Sequence, residues 1–242
     1  MKRELNQWFS PSLNKDMPIA SYGHYGFALL LIPTAAADYL EYERFQLIDE
    51  IAQHINDGKC KVFSIDSINR ESWLNDDMHP PHKAIRQNQF NDYVINEVIP
   101  FIKSNTSPDT PIITCGASFG ALHAMNLFLR HPDKINGVIS MSGVYDLKEY
   151  TKGYWDDQVY FNSPETYIQN MNDEWYLQKI RQSNQIHLLS GSGSYEDPNA
   201  SKRFSNVLNS KGIEHTLDIW GNDIDHDWPT WRKMLPFVLS KF

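Results

Sequence analysis

Short apolar runs and longer amphipathic stretches alternate along most of this chain. Phe27 to Ile32 is an unbroken apolar run closed by Pro33, the pattern of a strand buried on both faces. Leu40, Phe45, Leu47, Ile48, Ile51 and Ile55 recur at helical spacing until Asp57-Gly58, a helix stop. Cys60 to Ile65 predicts the next strand. A long loop, Asp66 to Pro81, carries Trp73 and His79-Pro80-Pro81. Tyr93, Ile95, Val98, Ile99 and Ile102 predict a helix, and Pro111 to Cys115 a strand. Ala121 to Arg130 predicts a helix apolar on most sides, stopped at His131-Pro132. Ile135 to Met141 predicts a further strand.

The rhythm breaks over residues 144–183, which are rich in aromatics, including Tyr145, Tyr150, Tyr154, Trp155, Tyr167, Trp175 and Tyr176. Helical pieces are expected there, one opening at Ser163-Pro164-Glu165, with no strand. The region reads as a cap-like insertion above a sheet. The rhythm resumes with a strand at Gln185 to Leu189, a helix from Pro198 to Lys211, a strand from Ile213 to Trp220 and a final helix to Phe242. Gly212 suits the position just past a helix end. Before Phe27, Ile19-Ala20-Ser21-Tyr22 and the turn Gly23 to Gly26 suggest an antiparallel edge hairpin. Alternating β and α elements predict an α/β fold, with a mainly parallel central sheet and helices on both faces. One domain over residues 1–242 is expected.

Composition narrows the function classes. The chain has 242 residues, 41% hydrophobic and 21% charged, enough for a buried core. Its net charge is −8, a poor match to nucleic acid or an anionic membrane surface. No apolar run approaches the ~20 residues of a membrane span. Met1 to Gln7 has a basic start but no apolar stretch, so no secretory signal is expected. The two cysteines, Cys60 and Cys115, lie in apolar segments, as buried thiols of a reducing compartment would. A cytoplasmic location is expected.

The candidate chemistry centres on Gly116-Ala117-Ser118-Phe119-Gly120, a match to G-x-S-x-G. At average residue usage the bare pattern arises by chance in roughly one chain in ten of this length. Here an apolar strand precedes it and a buried helix follows, the context in which a serine is exposed on a tight strand-to-helix turn. His226, in Asp225-His226-Asp227-Trp228, falls in the loop after the last strand, and its position suits a general base. His215 is expected inside the preceding strand. His123 reads as a packing or capping residue, and His79 and His82 as possible pocket lining. The acid should follow the strand Gln185 to Leu189, where Glu196 and Asp197 both qualify. Asp197 precedes Pro198 and has a sufficient role as helix N-cap, so Glu196 is favoured. The oxyanion donors should be the Phe119 N–H and an amide of Pro33-Thr34-Ala35-Ala36-Ala37, with Thr34 or Ala35 the candidates and Thr34 the first choice.

These motifs resemble the esterases of the α/β-hydrolase superfamily, in the group of esterase D, feruloyl esterases and mycolyltransferases. The similarity rests on Phe27 to Thr34, Glu41-Tyr42-Glu43, Glu71-Ser72-Trp73, Gly116 to Ala121, Ser142-Gly143-Val144-Tyr145-Asp146 and His226-Asp227-Trp228-Pro229. The family's G-x-x-D step corresponds to Gly193-Ser194-Tyr195-Glu196, with Glu in place of Asp. Pro33-Thr34-Ala35-Ala36 stands where a His-Gly-Gly-Gly oxyanion motif is absent. The resemblance implies an α/β-hydrolase fold and a serine hydrolase acting on a small-molecule carboxylic ester, without cofactor or metal. Acyl transfer from the same acyl-enzyme, or a vestigial binding protein on the same fold, are the alternatives. A metal site at Asp223, Asp225, His226 and Asp227 is disfavoured because adjacent residues point apart. Trp73 and the aromatic segment suggest an aryl or sugar-linked acyl group.

Overall fold

The computed structural model describes residues 1–242. One eight-stranded sheet runs through it, made of β1 (Arg3–Ser10), β2 (Lys15–Tyr22), β3 (Phe27–Ile32), β4 (Cys60–Ile65), β5 (Ile112–Ala117), β6 (Gly137–Met141), β7 (Ile186–Ser190) and β8 (Thr216–Ile219). The spatial order is β1-β2-β4-β3-β5-β6-β7-β8. From β4 to β8 every pairing is parallel, and β1 and β2 add an antiparallel edge.

Three short helices follow β3: α1 (Glu41–Arg44), α2 (Leu47–Glu50) and α3 (Ala52–Asn56). After β4 come α4 (Pro80–Tyr93), a π-helical turn (Val94–Val98) and α5 (Ile99–Ser104). α6 (Phe119–Arg130) follows β5. α7 (Asp157–Tyr160), α8 (Pro164–Asn170) and α9 (Glu174–Arg181) lie between β6 and β7. α10 (Pro198–Ser210) and α11 (Trp228–Leu239) complete the chain.

The period-two alternation of strand side chains divides the core into two layers. On β3, Ala28, Leu30 and Ile32 face a layer with Phe90, Val94, Met125 and Phe128 from α4, the π turn and α6. Leu29 and Leu31 face the opposite layer, with Leu47, Ile48, Ile51, Trp231 and Leu235 from α2, the segment after it and α11. A continuous apolar run on β3 is thus what burial on both faces requires.

The edge hairpin differs from the expectation. β2 does not turn at Gly23–Gly26 to pair with β3, because β4 lies between them. The hairpin is β1 with β2, joined through residues 11–14 with Asn14 at φ +54°. The helix expected over Leu40 to Ile55 is three pieces, broken where Gln46 takes a left-handed φ of +64°. The helix expected around Tyr93 begins earlier, at Pro80, where a proline in the first turn loses no intrahelical bond. The π turn just before Pro100 suits a residue that cannot donate a backbone bond.

The segment 144–183 is divided between two environments. Tyr145, Tyr167, Ile168, Leu177 and Ile180 pack into the layer that α6 and α10 share. Leu147 and Val159, with Val144, Tyr150 and Tyr154 against them, instead join Trp73, Phe119 and Leu122 in a small cluster beside residue 118. Trp73 is buried at 1% exposure, so it supports this cluster from within and does not line an open pocket.

Candidate active site

In a parallel sheet the loops leaving the C-terminal strand ends gather on one rim. Here those loops carry residues 33–37 after β3, Ser118 after β5, 191–197 after β7 and 220–227 after β8. The elbow is sharp. Ser118 sits at φ +55°, ψ −122°, a conformation that non-glycine residues adopt only when the surroundings impose it. Its N–H donates to the Met141 carbonyl at 2.9 Å, pinning the turn to β6. Gly120 is required for close approach, since a Cβ there would lie 2.4 Å from the Ile32 carbonyl oxygen and 2.5 Å from that of Pro33. The helix after the elbow therefore packs directly on the backbone of the loop after β3.

Ser118 Oγ lies 2.9 Å from His226 Nε2, and His226 Nδ1 lies 3.4 Å from Glu196 Oε2. The second contact is longer than the 2.7–2.9 Å typical of a charge-assisted bond, as such contacts often are before substrate binds. The Glu196 side chain is 1% exposed and that of His226 24%. Burial pushes the Glu196 carboxyl up. Hydrogen bonds from His226 and Ser142, the nearby imidazole and the Gly191 backbone outweigh it and hold the group below its usual range.

Ser142 has no assigned part in the sequence reading, yet its hydroxyl donates to Glu196 Oε1 at 2.5 Å and accepts from Trp231 Nε1 at 3.0 Å. Trp231 also meets the His226 ring edge-on, with centroids 5.3 Å apart. The only early signal for Ser142 is its place in Ser142-Gly143-Val144-Tyr145-Asp146.

The acid and histidine loops are fastened to each other. Asp225 Oδ1 accepts the Ser194 N–H at 2.6 Å, the His226 N–H donates to the Ser194 carbonyl at 3.0 Å, and the Gly193 N–H donates to the Ile224 carbonyl at 2.9 Å. Asp227 caps α11 through the Trp228 N–H at 2.7 Å. Asp225, His226 and Asp227 thus serve three different partners. Asp197 lies outside the Ser118–His226–Glu196 line and caps α10, accepting the Asn199 N–H at 3.0 Å.

The two expected oxyanion donors fare differently. Phe119 opens α6 directly after Ser118, where first-turn N–H groups have no intrahelical acceptor. The Thr34 N–H, by contrast, is already engaged, donating to Glu41 Oε2 at 2.8 Å. The structure thus counts against Thr34, and the loop N–H groups that donate to no protein acceptor are those of Ala35, at φ +22°, and Ala36. His215 precedes β8 and bonds Ser205 Oγ at 2.7 Å. His123 is buried against Asn69. His79 lines a cavity of about 200 Å³ with Tyr150, Lys83 and Lys152, and His82 does not. A second cleft of about 370 Å³ opens beside Ala36 and Ala37, with Asp38, Arg44, Asp66 and Arg70 on its walls. The thiols are buried and free, and burial pushes Cys60 up to about 12 and Cys115 higher still, so neither is a nucleophile. No helix is long and apolar enough to cross a membrane.

The sheet, the elbow and the rim of loops define an α/β-hydrolase. The chain belongs to the family described as "Putative esterase", whose family model it matches over residues 42–242, and is a carboxylic ester hydrolase. Among curated proteins, none matches it in sequence. Solved structures share the fold at low identity. A ferulic acid esterase superposes with a TM-score of 0.74 at 17% identity, covering 100% of this chain and 99% of its own. The S-formylglutathione hydrolase of Staphylococcus aureus gives 0.71 at 15%, covering 99% and 98%. MPT51 of Mycobacterium tuberculosis gives 0.71 at 18%, covering 100% and 97%.

Proposed function

We propose that the protein is a serine hydrolase that cleaves a small-molecule carboxylic ester through an acyl-enzyme on Ser118. The observation that carries this reading is the strained Ser118, with its Oγ 2.9 Å from His226 Nε2. His226, neutral, takes the hydroxyl proton as Ser118 Oγ bonds to the ester carbonyl carbon. The carbonyl oxygen becomes an oxyanion facing the N–H groups of Phe119 and Ala35. His226 then gives its proton to the departing alkoxide, leaving the acyl group on Ser118. Water, deprotonated by His226, repeats the sequence and releases the acid. Glu196 keeps the proton of the resting imidazole on Nδ1 and stabilises the imidazolium. Ser142 and Trp231 hold Glu196 and the ring in place. The mechanism calls on no metal or organic cofactor.

Ser118→Ala tests it. The variant should fold like the parent, lose hydrolysis of 4-nitrophenyl acetate and lose labelling by a fluorophosphonate probe. A folded Ser118→Ala protein that turns over at the parent rate overturns the reading.

A further inference from the structure

The loop after β3 is built from small residues, and such a segment has little intrinsic reason to hold one shape. Ala35 nevertheless sits at φ +22°, which an L-residue keeps only if its neighbours over-determine it. Two side-chain clamps do so. On one side Glu41 of α1, itself buried, accepts the Thr34 N–H at 2.8 Å and the Thr34 hydroxyl at 2.6 Å. On the other side the buried Asn69 donates through Nδ2 to the Ala35 carbonyl. Asn69 Oδ1 lies 2.8 Å from His123 Nε2. An amide oxygen can only accept, so the His123 ring donates. Burial pushes the His123 imidazole down to about 3, so it is the neutral tautomer with hydrogen on Nε2.

The consequence is specific to one peptide group. The Pro33–Thr34 peptide is fixed through the Thr34 N–H, and the Ala35–Ala36 peptide through the Ala35 carbonyl. The peptide between them has its own carbonyl, that of Thr34, engaged by the Ala37 N–H at 3.3 Å. Its Ala35 N–H donates to no protein acceptor; the Ala36 N–H is free as well, but its peptide is held through the Ala35 carbonyl. His123 lies on α6, the helix whose first residue supplies the other amide, so one helix sets both donors.

We propose that Glu41, Asn69 and His123 are positioning residues that hold the Ala35 N–H as the second oxyanion donor, without touching the substrate themselves. This rests on the reading of Ser118 as the nucleophile.

The test compares Asn69→Asp, Glu41→Gln, His123→Gln and His123→Leu on 4-nitrophenyl acetate, with an arylboronic acid as a mimic of the tetrahedral adduct. Asn69→Asp replaces the donor to Ala35 by an acceptor. Losing one oxyanion donor lowers turnover by roughly 10² to 10³, and kcat should fall by about that much with KM within about two-fold. Affinity for the boronate should fall in parallel. Glu41→Gln should lower kcat in the same sense. His123→Gln, which still has a donor for Asn69, should turn over far better than His123→Leu. Parent-like kcat in folded Asn69→Asp or Glu41→Gln overturns the proposal. So does a loss of kcat with unchanged boronate affinity, or equal turnover in the two His123 variants. Full activity in Ser118→Ala would instead sink the nucleophile assignment, which separates the two failures.

Discussion

Glu196 and Asp197 are neighbours of the same charge, yet the structure gives them separate partners. Glu196 faces His226, Ser142 and Ser190, whereas Asp197 faces the first turn of α10. Because the Glu196 carboxyl is held below its usual value of 4.5, its stabilising contribution is present above that pH and is lost as pH falls through the lower, folded value. It is therefore ionised at neutral pH and able to orient an imidazole. Glu196→Gln keeps the volume but can offer the ring an N–H, favouring the wrong tautomer. Turnover should fall by up to about 10⁴, as analogous changes do in serine proteases. Ser142→Ala should also slow turnover, by a smaller factor, since it removes one bond to Glu196 and the acceptor for Trp231. Steady-state kcat with a urea midpoint for each variant checks both. Ser118 and His226 were legible in the sequence because a strand-to-helix elbow and a post-strand histidine are local patterns. Glu196 could be favoured over Asp197 because Pro198 already explains an N-cap. Ser142 and the choice between Thr34 and Ala35 were not legible. Ser142 meets Glu196 across 54 residues of chain, and Asn69 meets Ala35 across 34.

Among the elements, α10 shows how much of a helix is written beside it. Asp197 accepts the Asn199 N–H and Pro198 fills the first turn, so the start of the helix follows from two residues. Asp197→Ala should lower stability by about 1 kcal/mol and leave kcat within a few-fold of the parent, read from urea midpoints and ester turnover. A catalytically dead Asp197→Ala with an active Glu196→Gln would reverse the assignment of the acid. The parallel strands β3 to β7 were legible because burial on both faces favours apolar runs, with Lys61, Ser64, Thr114, Ser140 and His187 among the few buried polar exceptions. β1 was not, because it is an edge strand with Leu5 and Phe9 exposed and carries mixed polar residues. The break at Gln46 was hidden for a different reason. The apolar spacing continues across it, since Leu47, Ile48, Ile51 and Ile55 still face one core layer.

At the scale of the whole molecule, acid should weaken this fold before its paired carboxylates titrate. Three histidines, two of them at α6 and one on β7, are kept neutral, chiefly by burial. His123 on α6 is pushed down to about 3, His131 at the end of α6 to about 4 and His187 on β7 to about 4, all from 6.5. In the unfolded chain these rings take up protons near 6.5 and in the fold they do not. Stability is then full above about pH 6.5 and falls as pH drops from there toward 4, by about 1.4 kcal/mol per pH unit for each proton bound only by the unfolded chain. Buried Glu41 and half-buried Asp66 and Glu165 act in the opposite sense. Burial raises their values, so the fold takes up their protons first and regains stability as pH falls toward 4.5 and 3.8. The histidine loss begins at the higher pH, so the urea midpoint should drop as pH falls below about 6.5 and keep falling toward 4, with the carboxylates offsetting part of the loss. His187→Gln combined with His131→Asn should flatten the upper part of that curve while leaving Ser118, His226 and Glu196 untouched. An equally steep fall in the double variant would assign the acid sensitivity elsewhere.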